Sequence, residues 1–354
     1  MGAMSYKSAG VDIKNANETK DKFKDIVSSA QLEHCRPLNR VGAFASLVEL
    51  DLKNYAEPVF VLKTEEPGSK QLLSIDNGHL DWIAQDLVNH LINDIIVMGA
   101  TPCAVLDTII CGKIEKETVL GLVSEISKAC TENGCVLVGG ETSEQPKTLP
   151  SGRYVLQASV LGIVEKSKII DGSAIKRGDA LIALASNGLH TNGYSLVHKL
   201  METKPQILNE KIGGESFLDA ILKPHASYYK AICALLECHF CDIHAMAHIT
   251  GGGICDNLAR VVHGENLQAK IDLSAIKIPA IFSLIKKYAA AKDSEMLATF
   301  NNGAGLIIAA EDAKADEIIK TIKEAGTDAY RIGEVAESSD ENKVAFENEL
   351  IWDF

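Results

Sequence analysis

Apolar positions along the chain follow two periods, and the two alternate. Strand-like runs fall at 43–50 (AFASLVEL) and 58–63 (PVFVLK), and again at PCAVLDTIIC, CVLVGG and RYVLQASVLGIV. A helical period fits 79–98 and 115–133, with a shorter helix at 18–31. The second half repeats the mixture after an apolar strand at ALIALAS. It predicts helices near 192–203, 225–238, 252–263, 279–291 and 313–325, and strands near 243–249, 267–272, 304–310 and 329–335. Several strands follow one another with no helix between, so the pattern predicts an α+β protein rather than a doubly wound parallel sheet.

The turn-rich segment DGSAIKRGDALIALAS places a boundary near residue 170. The expected organisation is an irregular arm at 1–17, a first domain at 18–170, a second at 171–346 and a tail at 347–354. The opening MGAM reads as an expression-tag remnant ahead of Met4. No internal repeat or low-complexity tract stands out.

Composition narrows the class. A net charge of -13 over 354 residues argues against a nucleic-acid partner, which needs a basic surface. No apolar run is long enough to span a membrane, because Asp94, Gly99, Pro102 and Asp107 interrupt the longest candidate. Nine scattered cysteines point to reduced thiols and a cytoplasmic location.

Four segments could carry chemistry. On the helix at 79–98, Asp86, His90, Asn93, Asp94 and Val97 fall on one face. That face is either solvated or, since it holds no lysine or arginine, a carboxylate cluster awaiting a cation. In LVGGETSEQP a strand is expected to end in Gly139 and Gly140, so that Glu141 projects from its end. In HITGGGICDN a strand meets Gly251, Gly252 and Gly253 before a helix, a turn that suits either a phosphate or tight packing. In ALASNGLHTNGYSLV two Asn-Gly pairs bracket His190, and Thr191 or Asn192 is placed to cap the helix that follows. A fifth segment, ECHFCDIHAMAH, carries Cys238-x-x-Cys241 with His239, His244 and His248, and reads as a decoy rather than a zinc knot. Together the residues suit Mg²⁺ and a polyphosphate, which points to an ATP-using enzyme.

SYKSAGVDI, DLVNHLIND, GATPCAVLD, LVGGETSE, GLHTNGYSLV, HAMAHITGGG and TFNNGAGLIIA occur in the order in which aminoimidazole ribonucleotide synthetases carry similar motifs. The chain resembles that family, the phosphoribosylformylglycinamidine cyclo-ligases, from Ser5 to about Phe346. The resemblance implies a two-domain PurM-like fold. N-terminal sheets pair across a homodimer into a barrel, the C-terminal domain is a layered α/β unit, and the active site is a cleft near the subunit interface. It implies ATP-dependent cyclisation of formylglycinamidine ribonucleotide in purine biosynthesis, with Mg²⁺ and with K⁺ left open. It gives Glu65, Asp94 and Glu141 to Mg²⁺ and the ATP phosphates, with Asp86, Lys70, Gly139 and Gly140 around them and Lys24 near the nucleotide. His190 becomes the group that handles a proton or contacts phosphate. Asn192 orients substrate, and Gly251, Gly252 and Gly253 cradle a phosphate.

The chain departs from the family at TEEPGSK, residues 64–70, where relatives carry TDGVGTK, and at FNNG, where Asn302 replaces a cysteine. Pro67 stiffens that first loop. The alternatives are another ATP-using member of the superfamily, such as a thiamine-phosphate kinase, or a non-catalytic scaffold on the same fold.

Overall fold

The computed structural model describes residues 32–39 and 42–353, together with Glu18, Lys22, Phe23 and Ile26. The arm at 1–17, most of the helix expected at 18–31, Lys24 and Phe354 lie outside the described residues. Two units divide the chain. One runs to Ser167 without residues 96–99, and the other holds 96–99 and everything from Lys168 on.

In the first unit, β1 (Cys35–Pro37) pairs antiparallel with β2 (Val48–Leu50). The run AFASLVEL is strand only over its last three residues. Its start is closed into a loop by Asn39, whose amide donates to the Ala45 carbonyl (2.6 Å) and accepts from the Leu47 N–H (2.8 Å). A four-stranded sheet follows, built from β3 (Pro58–Glu65), β4 (Thr101–Cys111), β5 (Val136–Glu144) and β6 (Tyr154–Glu165) in the order β3-β6-β4-β5. Only the β4–β5 pair is parallel. Strand β5 does not stop at its glycines as the sequence suggested. The ladder to β4 runs on through Gly139, Gly140 and Glu141 to Glu144.

The helix Leu80–Ile96 buries Ile83, Ala84, Leu87, Val88, Leu91, Ile92 and Ile95 completely or nearly so. Asp86, Asn89, His90 and Asn93 are buried as well, so the polar stripe is not a solvated face. A helix covered on all sides must satisfy its polar groups internally. Asn133, just past the helix Lys116–Glu132, donates to Asn89 Oδ1 at 2.8 Å.

The second unit is a six-stranded sheet with helices. β7 (Ala180–Ala185) is followed by the two-residue strands β8 (Lys211–Ile212) and β9 (Glu215–Ser216), which pair with each other. Then come β10 (Ile243–His248), β11 (Leu267–Asp272), β12 (Ala304–Ala310), β13 (Ala329–Glu337) and β14 (Val344–Glu347). The order is β10-β12-β7-β13-β11-β14, with only β11–β14 parallel. The mixed, largely antiparallel pairing agrees with the α+β expectation. The helix expected over 252–263 is six residues long, Gly253–Leu258, and closes with i to i+3 bonds at Arg260 and Val261. Among the described residues no helix is long and apolar enough to cross a membrane.

Candidate functional site

Each unit gathers its own set of polar residues. In the first, strand alternation puts Lys63 and Glu65 on one side of β3. Lys63 Nζ lies 2.8 Å from Glu65 Oε1 and 3.0 Å from Asp94 Oδ2, and His90 Nε2 is 3.9 Å from the same Glu65 oxygen. Burial pulls the Lys63 pKa down, but the two carboxylates outweigh it and the net shift is upward. Glu65 and Asp94 are thus brought to one cation, and their oxygens form a hard donor set of the kind Mg²⁺ prefers.

Lys70 and Asp86 are sealed from solvent and bonded to each other at 2.7 Å. Burial holds the lysine pKa below its usual value, against the pull of Asp86. The helix face that lacks cations therefore receives two from outside its own segment, Lys70 at Asp86 and Lys63 at Asp94.

Glu141 does not join Glu65 and Asp94. Glu65 stands opposite Ala158, Ala158 opposite Asp107, and Asp107 opposite Gly140, a row that crosses the whole sheet. Two strands thus separate Glu141's strand from Glu65's. Glu141 follows Gly140, so its exposed side chain points to the other face of the sheet from Asp107. Within this unit Glu65 and Asp94 lie together and Glu141 lies apart from them.

Both glycines of LVGG have packing reasons. A β-carbon on Gly140 would sit 1.8 Å from Asp107 Oδ1, and one on Gly139 would sit 2.6 Å from Ser46 Oγ. Asp107, which interrupts the apolar run, stands in the middle of β4. It is 6% exposed, and its Oδ2 meets no hydrogen-bond donor among the described residues. Burial pushes its pKa up to about 7, its own backbone amide opposes this, and the charge of Glu141 adds to the rise. Its signal in the sequence was a lone carboxylate inside the apolar strand AVLDTII.

In the second unit the loop after β7 holds His190 at φ 59°, in the left-handed region that only a few non-glycine residues occupy. His190 is 1% exposed, with the rings of His225 and Tyr228 against its own. Neither Thr191 nor Asn192 caps the following helix, Tyr194–Thr203. Gly193 is the N-cap at φ 79°, and a β-carbon there would strike Phe300. Thr191 Oγ1 faces His225 Nδ1 instead, at 3.4 Å. Asn192 Oδ1 lies 3.5 Å from where a Gly251 β-carbon would be, so these two expected substrate residues are neighbours.

Gly252 and Gly253 both take positive φ, and a β-carbon on Gly253 would overlap the Leu297 carbonyl. Asn257 Nδ2 ties this turn together through the carbonyls of Thr250, Gly251 and Gly253. Asn301 does the same for the His190 loop. Its Oδ1 accepts from Ser186 Oγ and from the Gly303 N–H, and its Nδ2 donates to Gly188 O. Asn302, the departure in FNNG, is buried at φ 48° with its amide on the Met296 and Phe300 carbonyls.

The Cys238/Cys241 segment carries three histidines, each with a hydrogen-bond partner of its own. Both thiols are exposed, His239 is engaged by Asp242 and Thr321, His244 by Asp179, and His248 by His225.

Family models for AIR synthase related proteins match both units, the N-terminal domain over residues 56–164 and the C-terminal domain over 176–344. The chain belongs to the AIR synthase family. Its AIR synthase relatives include the phosphoribosylformylglycinamidine cyclo-ligase of Burkholderia pseudomallei (strain 1710b), 39% identical over 335 residues, which are 95% of this chain and 94% of the relative. The cyclo-ligase of Burkholderia cenocepacia is also 39% identical, over 94% of this chain and 93% of its own length. Among solved structures, the hydrogenase maturation protein HypE of E. coli superposes with a TM-score of 0.66 at 17% identity, over 94% of this chain and 93% of its own. Thiamine-monophosphate kinase from Stenotrophomonas maltophilia K279a gives 0.62 at 16%, over 94% and 96%. At such identities the likeness is one of fold, a two-domain PurM-like fold.

Proposed function

We propose that this chain is a phosphoribosylformylglycinamidine cyclo-ligase, which closes formylglycinamidine ribonucleotide to aminoimidazole ribonucleotide and releases ADP and phosphate. The observation that carries this reading is the similarity to cyclo-ligases at 39% identity across 95% of the chain. The reaction has a physical problem to solve, because an amide oxygen leaves poorly. Transfer of the γ-phosphoryl group of ATP to that oxygen turns it into a phosphate leaving group. The neighbouring amine then attacks the carbon, and phosphate departs as the imidazole closes. The protein's part is to align the two substrates, neutralise phosphate charge and move protons.

In this reading Glu65 and Asp94 hold Mg²⁺, and the Lys63 ammonium between them marks where positive charge is favoured. When bound, Mg²⁺ neutralises charge on the transferring phosphoryl group. Lys70 and Asp86 brace the segment that carries Glu65. His190 acts at the substrate, Asn192 orients it, and the backbone around Gly251, Gly252 and Gly253 receives its phosphate. A cytoplasmic homodimer fits the uncovered face of the first sheet, where Phe60, Leu62 and Leu106 lie 55%, 76% and 46% exposed. An apolar face of that kind suits a second copy of the same sheet.

The test is phosphate release. Purified chain with ATP, Mg²⁺ and formylglycinamidine ribonucleotide is expected to release one phosphate per aminoimidazole product formed. Release with thiamine phosphate, and none with the ribonucleotide, would sink the reading.

A further inference from the structure

We propose that His225 is the positioning residue for His190, the side chain that holds the plane of the His190 imidazole. The proposal rests on the reading above for the role of His190, and it adds a residue which that reading did not contain.

The argument starts from the backbone. His190 sits at φ 59° in an irregular loop, so no helix or strand orients its side chain. Packing must do so instead. His225 lies on one face of the ring, with centroids 4.0 Å apart and planes 22° from parallel. Tyr228 closes a second side at 6.2 Å and 60°. Gly305 of β12 supplies the floor, and a β-carbon there would come within 2.8 Å of His190 Cε1 and 1.9 Å of the Tyr228 hydroxyl. The tyrosine is fixed in turn, since its hydroxyl donates to the Ala185 carbonyl at 3.0 Å.

His225 is itself held at both ring nitrogens. Nδ1 meets Thr191 Oγ1 at 3.4 Å, and Nε2 meets His248 Nε2 at 2.9 Å. The second contact needs one proton between two ring nitrogens, so one imidazole donates and the other accepts. A ring tied at both nitrogens cannot turn without losing a buried hydrogen bond. His225 is also only 1% exposed, so packing confines its ring as well, and its face is the wall on which His190 stacks. A group that must hand over or receive a proton needs its ring held within roughly 10–20° of the productive orientation. Thr191 belongs to the same loop as His190, so the bond from Thr191 to His225 also ties the loop to its wall.

Two variants separate the face of His225 from its nitrogens. His225→Asn keeps hydrogen-bonding capacity and removes the aromatic face. His225→Phe keeps the face and removes the nitrogens. We expect His225→Asn to lower kcat by roughly tenfold or more, with KM for both substrates within about twofold, and His225→Phe to stay within about threefold of the parent kcat. An independent readout is the His190 Cε1–H resonance in histidine-labelled protein, identified by its loss in His190→Ala. It should shift in His225→Asn, as the stacked ring disappears, and return toward its original position in His225→Phe. This readout needs no turnover. If the chain shows no cyclisation at all, the functional reading fails while the resonance still decides the positioning. A His225→Asn variant with kcat within twofold and an unmoved resonance would overturn the proposal. So would a rise in KM at unchanged kcat. If His225→Asn does not fold, His225→Leu, which also lacks the aromatic face, takes its place under the same criteria. A tenfold loss of kcat with a moved resonance supports the wall, and near-parent kcat with an unmoved resonance overturns it.

Discussion

Lys70 Nζ donates to Asp86 Oδ1 at 2.7 Å, and neither side chain has any exposed surface. The pair joins the first residue of the helix Lys70–Asp76 to the middle of the helix Leu80–Ile96. Removing one partner breaks a buried ion pair. Lys70→Met is expected to destabilise the protein by about 3–5 kcal/mol. Lys70→Met with Asp86→Leu should recover much of that loss, because no charge is left behind. Thermal and denaturant unfolding of the single and double variants check this. A double variant that is as weak as the sum of both singles would mean that the residues act independently.

Asp107 makes stability depend on pH in a defined direction. Its folded pKa is raised to about 7, above the value of 3.8 for a free aspartate. Its contribution is fully present below the unfolded pKa and is lost as pH rises through about 7. Asp107→Asn removes that titration. The stability of the variant relative to the parent should therefore climb between about pH 4 and 7, at most by about 1.4 kcal/mol per pH unit, and level off above that. Parallel melting curves across that range measure it, and a constant offset would show that Asp107 ionises normally.

Glu65 and Glu66 should behave differently. Glu65 faces Lys63 and Asp94, and Glu66 is exposed. Glu65→Gln is expected to raise the Mg²⁺ concentration for half-maximal activity by roughly tenfold or more. Glu66→Gln and Glu141→Gln should move it much less. A Mg²⁺ titration of the three variants at fixed substrate is the measurement, and a larger effect from Glu141 would restore that residue to the metal set.

His190→Ala should lower turnover by about 10² to 10⁴. The ring is buried, so some loss of Tm accompanies the change. Kinetics well below the melting transition separate the two effects. Near-parent turnover across pH would leave the histidine a structural role only.

Cys238 and Cys241 are exposed, and the neighbouring histidines are committed elsewhere. Cys238→Ser with Cys241→Ser should keep activity and shift Tm by no more than about one or two degrees. Stoichiometric zinc in the parent, lost together with folding in the variant, would contradict this.

The sequence by itself determined which segments are strands and helices wherever the apolar period was long, as in PCAVLDTIIC and the helix at 79–98. It also determined the family, because motifs along nearly the whole chain agreed. Its silence on short helices such as Phe217–Leu222 and Asp293–Thr299 follows from their length, since two turns or fewer hold too few residues to show a period. What the local pattern cannot hold is the partner of a side chain. Periodicity assigns a residue to a face of its own element and says nothing about what packs on that face. The helix carrying Asp86 and Asp94 therefore seemed to lack cations until the fold brought Lys70 and Lys63 against it. Gly140 read as a strand end until the register set it beside Asp107. His225 had no signal at all. It meets His190 across 35 positions of chain only because the loop after β7 and the segment before the helix Tyr229–His239 pack side by side, a contact made by tertiary structure alone.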